Sequence, residues 1–276
     1  MSFLKNKHLL VAIGIFILII ISGFKILSDR FVIGFQHPES AYMYNNYIFV
    51  SNIGSSPTSQ NLDGFITKLD RYGNILEYKF IDNLKAPKGL YVYNKYLYIA
   101  DLDRVCIVEL DTKRRRCITI KNAKFLNDVI YVDGNIFVTD TKNSSIYKID
   151  SNNNVSLFFR KDSLSPNGIT FSKKLNAFLV VSFNKPEIYE IALDGTLIDS
   201  YTFPDYKGFD GIMIYKDKIF ISDYFLKNIF ETDFSFKAIH TVKDFKSPVA
   251  DIFVGKNHIL APLIEDNKLY IGEIEQ

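Results

Sequence analysis

The 276-residue chain carries 33 Lys and Arg against 31 Asp and Glu, a formal charge of only +2. Lys5, Lys7, Lys25 and Arg30 face the single acid Asp29 near the amino terminus, which leaves 29 basic and 30 acidic residues over 31–276. So neutral a body excludes a DNA- or RNA-binding surface, while the length allows a large core in one or two domains.

After Lys5 and Lys7 comes an uncharged run of sixteen residues over 9–24, LLVAIGIFILIIISGF. As a helix it spans about 24 Å, and Ile26 and Leu27 extend it toward the roughly 30 Å of a bilayer core when Lys25 snorkels. The preceding lysines keep the amino terminus cytoplasmic and export the remainder of the chain. No small-x-small cleavage site stands out before Lys25, and no Cys is placed to take a lipid. The reading is a cytoplasmic tail over 1–8, a transmembrane signal-anchor over 9–27 that engages the lipid bilayer, and an exported domain over 28–276. Cleavage of the anchor would instead give a secreted periplasmic or extracellular form.

Beyond residue 36 helices are hard to place. Residues 89–100 (GLYVYNKYLYIA), 128–139 (DVIYVDGNIFVT) and 211–222 (GIMIYKDKIFIS) each join two β-rich runs through a polar turn. A third run follows in FITKLD, VCIVEL, IYKID, IYEIAL and NIFETD, and turns such as RYGN, SNNN and LDGT lead into a fourth. Six of these units open on a shared grammar: P-E-S-A from Pro38, P-K-G-L from Pro87, L-N-D-V from Leu126, P-N-G-I from Pro166, F-D-G-I from Phe209 and P-V-A-D from Pro248. Their second residues, Glu39, Lys88, Asn127, Asn167, Asp210 and Val249, are spaced by 49, 39, 40, 43 and 39 residues. Four strands at a period of about 40 predict an all-β, six-bladed β-propeller preceded by one transmembrane helix. The final unit ends on its third strand, KLYIGEIEQ, so the run around 31–35 is expected to supply the missing fourth and close the ring.

Cys106 and Cys117 share one hairpin, CIVELDTKRRRC. A turn centred on Thr112 and Lys113 sets Cys106 opposite Thr119 and Cys117 opposite Val108, too far apart for a ready disulfide, and favours two buried thiols. Another register permits a bridge, which an exported domain would preserve. The basic run over 113–116 reads as a solvated turn.

In a propeller the innermost strand of each blade lines the central channel, so equivalent positions at its start converge on the axis. Glu39, Asn127, Asn167 and Asp210 then form a ring of oxygen donors. Carboxylates with amide carbonyls, and neither thiolate nor imidazole, suit a hard cation; Ca²⁺ fits irregular geometry best, with Zn²⁺, Mn²⁺ and Mg²⁺ left open. Lys88 at the same register is expected to hold an anionic or hydroxyl group of a substrate, or to pair with Glu39 or Asp210, and Val249 to form an apolar wall. His37 is a candidate general base and Asp128 a support for Asn127. Asp101, Asp140, Asp223 and Asn52, which close the second strands, are expected to satisfy turn amides.

The segments P-E-S at 38–40, A-P-K-G-L at 86–90, F-L-N-D-V at 125–129, S-P-N-G-I at 165–169 and F-D-G-I at 209–212 resemble, in order and spacing, the senescence marker protein/gluconolactonase-like family. That family lies within a wider group of calcium-dependent six-bladed propellers that includes paraoxonases and strictosidine-synthase-like proteins. The resemblance spans about 31–276 and implies metal ligation by Glu39, Asn167 and Asp210, with Asn127 touching metal or substrate. Where paraoxonase-like enzymes place a catalytic His, this chain has Lys88, so that His mechanism does not carry over. The implied activity is hydrolysis of a lactone or related small ester. The cation would polarise the carbonyl, Asp210 or His37 would take a proton from water, and Lys88 would bind the substrate. No G-x-S-x-G elbow marks a serine esterase. A second expectation is a non-catalytic extracytoplasmic binding or scaffold propeller braced by a structural cation. No protein partner is legible.

Overall fold

The computed structural model describes residues 29–274. Its 24 strands form six four-stranded antiparallel sheets, arranged as the blades of a propeller. Blades 1 to 5 occupy 38–84, 87–119, 126–160, 166–202 and 209–244, and blade 6 occupies 253–273. The outermost strand of blade 6 is Arg30–Ile33, which pairs with Lys268–Glu273 and sets Phe31 opposite Tyr270. Inner strands of successive blades touch in order, and that of blade 6 returns to blade 1. Among the described residues no helix is long and apolar enough to cross a membrane; the apolar run over 9–24 lies outside them.

Apolar side chains do not collect in one central core. Six clusters each lie between two neighbouring blades, from Phe49, Leu90 and Ile99 between blades 1 and 2 to Val50, Leu260 and Leu269 between blades 6 and 1. Each blade thus packs both of its faces, while outer strands such as Leu197–Thr202 stay largely exposed. The axis is left to whatever the inner strands direct toward it.

The entrance to each inner strand sets that direction. In blades 1 to 5 the pairing with the second strand shifts register between the first and fourth residues, at Pro38/Ala41, Pro87/Leu90, Leu126/Val129, Pro166/Ile169 and Phe209/Ile212. A bulge of this kind removes two residues from the ladder and re-aims their side chains. The amides it releases are caught locally: Ser51, Thr139 and Ser222 hydroxyls accept from the N–H groups of Ser40, Asp128 and Gly211 at 2.9, 2.9 and 2.7 Å. Asp128 Oδ2 reaches into the next blade to accept from Ile169 N at 2.8 Å. Asp251 Oδ2 likewise accepts from the Ser40 hydroxyl at 2.5 Å. Gly89 is required beside this stitch, since a Cβ there would fall 2.4 Å from Asp128 Oδ1.

The sixth blade corrects one expected alignment. Val249 bridges Leu263, as Pro38 pairs with Asn52, and Gly255 pairs with His258 across the hairpin as Tyr44 pairs with Tyr47. Val249 is therefore the first residue of its segment, Ala250 the second and Asp251 the third. Val249 is fully buried between blades 5 and 6 rather than forming a wall of the channel. Pro248, which suggested the other alignment, lies one residue too early.

The residues that close the second strands serve turn amides, as expected. Asp140 accepts from the N–H groups of Lys124, Phe125 and Asn143, and Asp223 from those of Lys207, Phe225 and Leu226. Asp101 takes Ala86 N and the Arg104 guanidinium, and Asn52 takes Gln36 N.

The hairpin of blade 2 contradicts the expectation of two thiols. Cys106 pairs directly with Cys117, and the two form a disulfide. Glu109 is the cause of the different register. Its backbone O accepts from Lys113 N and its N donates to Arg114 O, while its carboxylate binds Thr112, Arg114 and Lys95. The turn therefore centres on Asp111 and Thr112, one residue earlier than expected, which moves each opposition by two. A closed loop of this size is worth about 3 kcal/mol. The protein denatured without reductant should show no titratable thiol, and reduction should lower its melting temperature by about 5–10 °C; two free thiols in the unreduced protein would contradict the pairing.

Candidate functional site

The re-aimed second residues meet at one end of the channel, on the floor of a cavity of about 540 Å³. Glu39, Lys88, Asn127, Asn167, Asp210 and Ala250 all line it, one from each blade in ring order. Glu39 of blade 1 and Asn167 of blade 4 are three blades apart, as are Lys88 and Asp210, and Asn127 and Ala250. All five polar members are at most 5 % exposed.

Four of their oxygens are unsatisfied. Glu39 Oε2, Asn127 Oδ1, Asn167 Oδ1 and Asp210 Oδ1 have no hydrogen-bond partner, and they are four of the seven such buried side-chain atoms among the described residues. Buried polar atoms rarely lack partners, and each orphan costs about 1–3 kcal/mol. Four such oxygens face one cavity, where a hydrogen-bond donor or a cation would satisfy them. No group of three or more His, Cys, Asp and Glu side chains is placed to hold a metal among the described residues. The set present is two carboxylates and two amide carbonyls, all hard oxygens, which fits Ca²⁺ in donor chemistry.

A second acidic layer lies beneath the first. Asp128 and Asp251, the third residues of blades 3 and 6, are buried along the channel with Ala41, Leu90 and Ile212. Burial raises all four carboxylates, and repulsion from neighbouring acids adds to it for Glu39, Asp210 and Asp128. Glu39 is held well above its ordinary value by desolvation and then by the charges of Asp210 and Asp251. Asp210 and Asp128 are raised well above theirs by burial and by Asp251. Asp251 is pushed up to about 6 by burial, with Ser40 and the Ile252 amide opposing. Burial holds Lys88 down at about 8 against the attraction of Glu39 and Asp101.

Lys88 forms no ion pair with Glu39 or Asp210, one of the arrangements expected for it. Its Nζ donates to Ala86 O at 2.9 Å and Pro57 O at 3.2 Å and lies 4.3 Å from the centre of the Phe125 ring. His37 does not enter the cavity. It sits exposed with φ +49°, its Nδ1–H donates to Gly54 O at 2.9 Å, and its backbone N donates to Asn267 Oδ1 at 2.7 Å. The general base expected there is tied to the rim, two residues short of the bulge that turns Glu39 inward. Asp128 acts on the backbone, through Val129 N in its own strand and Ile169 N in the next blade, and not through the Asn127 side chain.

The upper walls were missed. Ile53, Thr141, Phe183, Tyr224 and Ile264 line the cavity, and each directly follows the last residue of a second strand. The repeat that revealed Asp140 and Asp223 also pointed one residue further. Phe125 and Lys142 complete the wall beside Lys88.

No protein-family model matches the chain and no curated protein sequence does. Solved structures match its fold. A catalytically inactive virginiamycin B lyase from Staphylococcus aureus, bound to quinupristin, superposes with a TM-score of 0.63 at 14% identity, over 90% of this chain and 99% of the lyase. A streptogramin B lyase gives 0.61 at 15% identity over 89% and 98% of the two chains. A nidogen/laminin complex gives 0.65 at 14% identity over 78% and 87%. Likeness at such identities shows the six-bladed propeller alone; the gluconolactonase-like family that the motifs resemble is not confirmed.

The raised carboxylates carry a pH signature. Each binds its proton more tightly folded than unfolded, so above the ordinary carboxylate value near 4 the native state holds more protons and loses stability as pH rises. For Asp251 that loss runs up to pH about 6 and is complete above it. In chelator, the melting temperature should fall from pH 5 to pH 7.5 by several degrees, and Ca²⁺ should restore more stability at the higher pH; a flat profile would show that the four acids are not buried together.

Proposed function

We propose that this chain is a divalent-cation-dependent hydrolase, with Ca²⁺ the best fit, that opens a lactone or related small ester on the floor of the cavity. The four orphaned oxygens carry this reading. Glu39, Asn127, Asn167 and Asp210 hold the cation, which supplies polarisation of the substrate carbonyl and offsets charge on its oxygen, a contribution of several kcal/mol in such sites. Asp210 accepts the proton of the attacking water. Asn127 and Asn167 orient the scissile group, and Lys88 engages the substrate from the second blade. Ala250 leaves the sixth blade's share of the floor open. His37 has no part, because its ring is committed to the Gly54 carbonyl.

Two of the structural neighbours are named as lyases, which supports a cavity that performs a reaction. The other reading, a non-catalytic binding propeller in which the cation braces the ring, draws on the lack of an imidazole in the cavity lining. The nidogen/laminin neighbour, an assembly of proteins, supports it too. The apolar run over 9–27 is proposed to anchor the chain in a bilayer with the propeller exported, where the Cys106–Cys117 disulfide would persist.

A panel of small lactones and esters, assayed with Ca²⁺, Zn²⁺ or Mn²⁺ in ¹⁸O-labelled water, tests the reaction. The expected product is a hydroxy acid carrying one label, and Asp210→Asn should lower kcat/KM by about 10²–10⁴. An unlabelled, unsaturated product would replace hydrolysis by elimination, and no turnover across the panel would favour the binding propeller.

A further inference from the structure

Lys88 is the only Lys or Arg buried among the described residues, at 1 % exposure. Both of its hydrogen-bond acceptors, Ala86 O and Pro57 O, are neutral, although an ammonium has three N–H groups to place. No carboxylate lies within ion-pair distance of it among the described residues. A buried cation without a counter-ion costs several kcal/mol of lost hydration, which two carbonyls repay only in part.

The neighbouring charge makes the arrangement less favourable still. Lys142, from the short 3-10 turn Thr141–Asn143, sets its Nζ 4.7 Å from the centre of the same Phe125 ring. It too forms no ion pair among the described residues, and its charge opposes that of Lys88. Two ammonium groups around one ring, on the wall of one cavity, leave a place that an anion would complete. The far side of the cavity has the opposite character: Phe183 and Tyr224 pack with ring centres 5.5 Å apart, beside Ala250 and Ile264. Blades 2 and 3 thus supply the positive charge of the cavity wall. Above the floor residues Asn167 and Asp210, the wall from blades 4 to 6 offers the apolar and aromatic surface of Phe183, Tyr224 and Ile264 beside Asn184.

We infer that the cavity selects organic anions: an anionic group sits against Lys88 and Lys142 beside Phe125, and an apolar or aromatic body lies on Phe183, Tyr224 and Ile264. This deepens the hydrolase reading by naming its substrate class, and it rests on that reading only in taking the cavity as the substrate site. Lys142, Phe125, Phe183 and Tyr224 become specificity residues, and Lys88 becomes the anchor of the anion.

Calorimetric titration of the full-length chain tests this with 2-naphthalenesulfonate and its neutral sulfonamide, in the presence of Ca²⁺. The aryl sulfonate is a poor ligand for divalent cations, so its charge reports on the lysines. The sulfonate should bind at least about tenfold more tightly than the sulfonamide, a difference of about 1.4 kcal/mol. Lys88→Met should bring the ratio close to one. Lys142→Ala, at an exposed position where loss of folding is not expected, should reduce it about two- to threefold. Lys174→Ala, outside the cavity, should leave it unchanged. A merely structural Lys88, stapling the Pro57 loop to blade 2, predicts that Lys88→Met lowers stability and leaves the ratio alone. The inference is overturned by absent sulfonate binding, by equal binding of the two probes, or by a ratio that survives both cavity substitutions. Titration with Ca²⁺ alone reads the hydrolase proposal separately. Sulfonate preference without cation binding sinks that proposal and keeps this one, and cation binding without the preference does the reverse.

Discussion

The inner strands of blades 1 to 5 each enter the propeller through a two-residue break in the ladder, that of blade 6 through a break of three, and the rest of the site depends on that break. A regular strand would alternate its side chains between the two faces of the blade, where apolar clusters already fill the space. The bulge turns one side chain per blade along the ring's radius instead, so Glu39, Lys88, Asn127, Asn167, Asp210 and Ala250 share a floor although 211 residues separate the first from the last. The released amides must be satisfied, and hydroxyls from Ser51, Thr139 and Ser222 do so. Thr139 and Ser222 then pass a hydrogen bond to the carbonyls of Asn167 and Ala250 in the next blade. The same contacts that satisfy the bulge therefore fix the position of the following blade's floor residue.

Electrostatics at the axis work against the fold. Glu39, Asp210, Asp128 and Asp251 are buried within reach of one another's charge, and the one buried lysine nearby faces a pair of carbonyls. Protons or a cation must relieve this repulsion. The lower pair has its oxygens committed to Ile169 N, Val129 N, Ile252 N and the Ser40 hydroxyl, so those acids serve the ring. The upper pair keeps an unsatisfied oxygen each, beside two unsatisfied amide carbonyls. Division of labour between the layers comes from their partners, not from residue type.

Much of this was legible because a propeller repeats. Strand alternation and a period near 40 revealed six blades, and the residue two places into each segment revealed the four oxygens before any geometry. The failures have local causes. Pro248 imitates the proline that opens three other segments, and only the pairing of Val249 with Leu263 shows that the segment starts one residue later. Cys106 and Cys117 meet because Glu109 gathers the turn around its own carboxylate, a many-body contact that spacing does not reveal. His37 lies next to the segment in sequence but before the bulge, and proximity in sequence carries no information about which side of a bulge faces the axis. Phe183 and Tyr224 each sit one residue past a strand-closing position, where residue type changes from blade to blade (Ile53, Thr141, Phe183, Tyr224, Ile264) and gives no shared chemical signal.

The central claim is that Glu39, Asn127, Asn167 and Asp210 form one cation site. A crystal structure of the protein grown with Ca²⁺, with anomalous scattering used to locate the ion, measures it most directly. The account predicts a single strong peak on the cavity floor, about 2.3–2.6 Å from one oxygen of each of the four side chains. A peak confined to the lower layer between Asp128 and Asp251, or a cavity floor without one at saturating Ca²⁺, would contradict it.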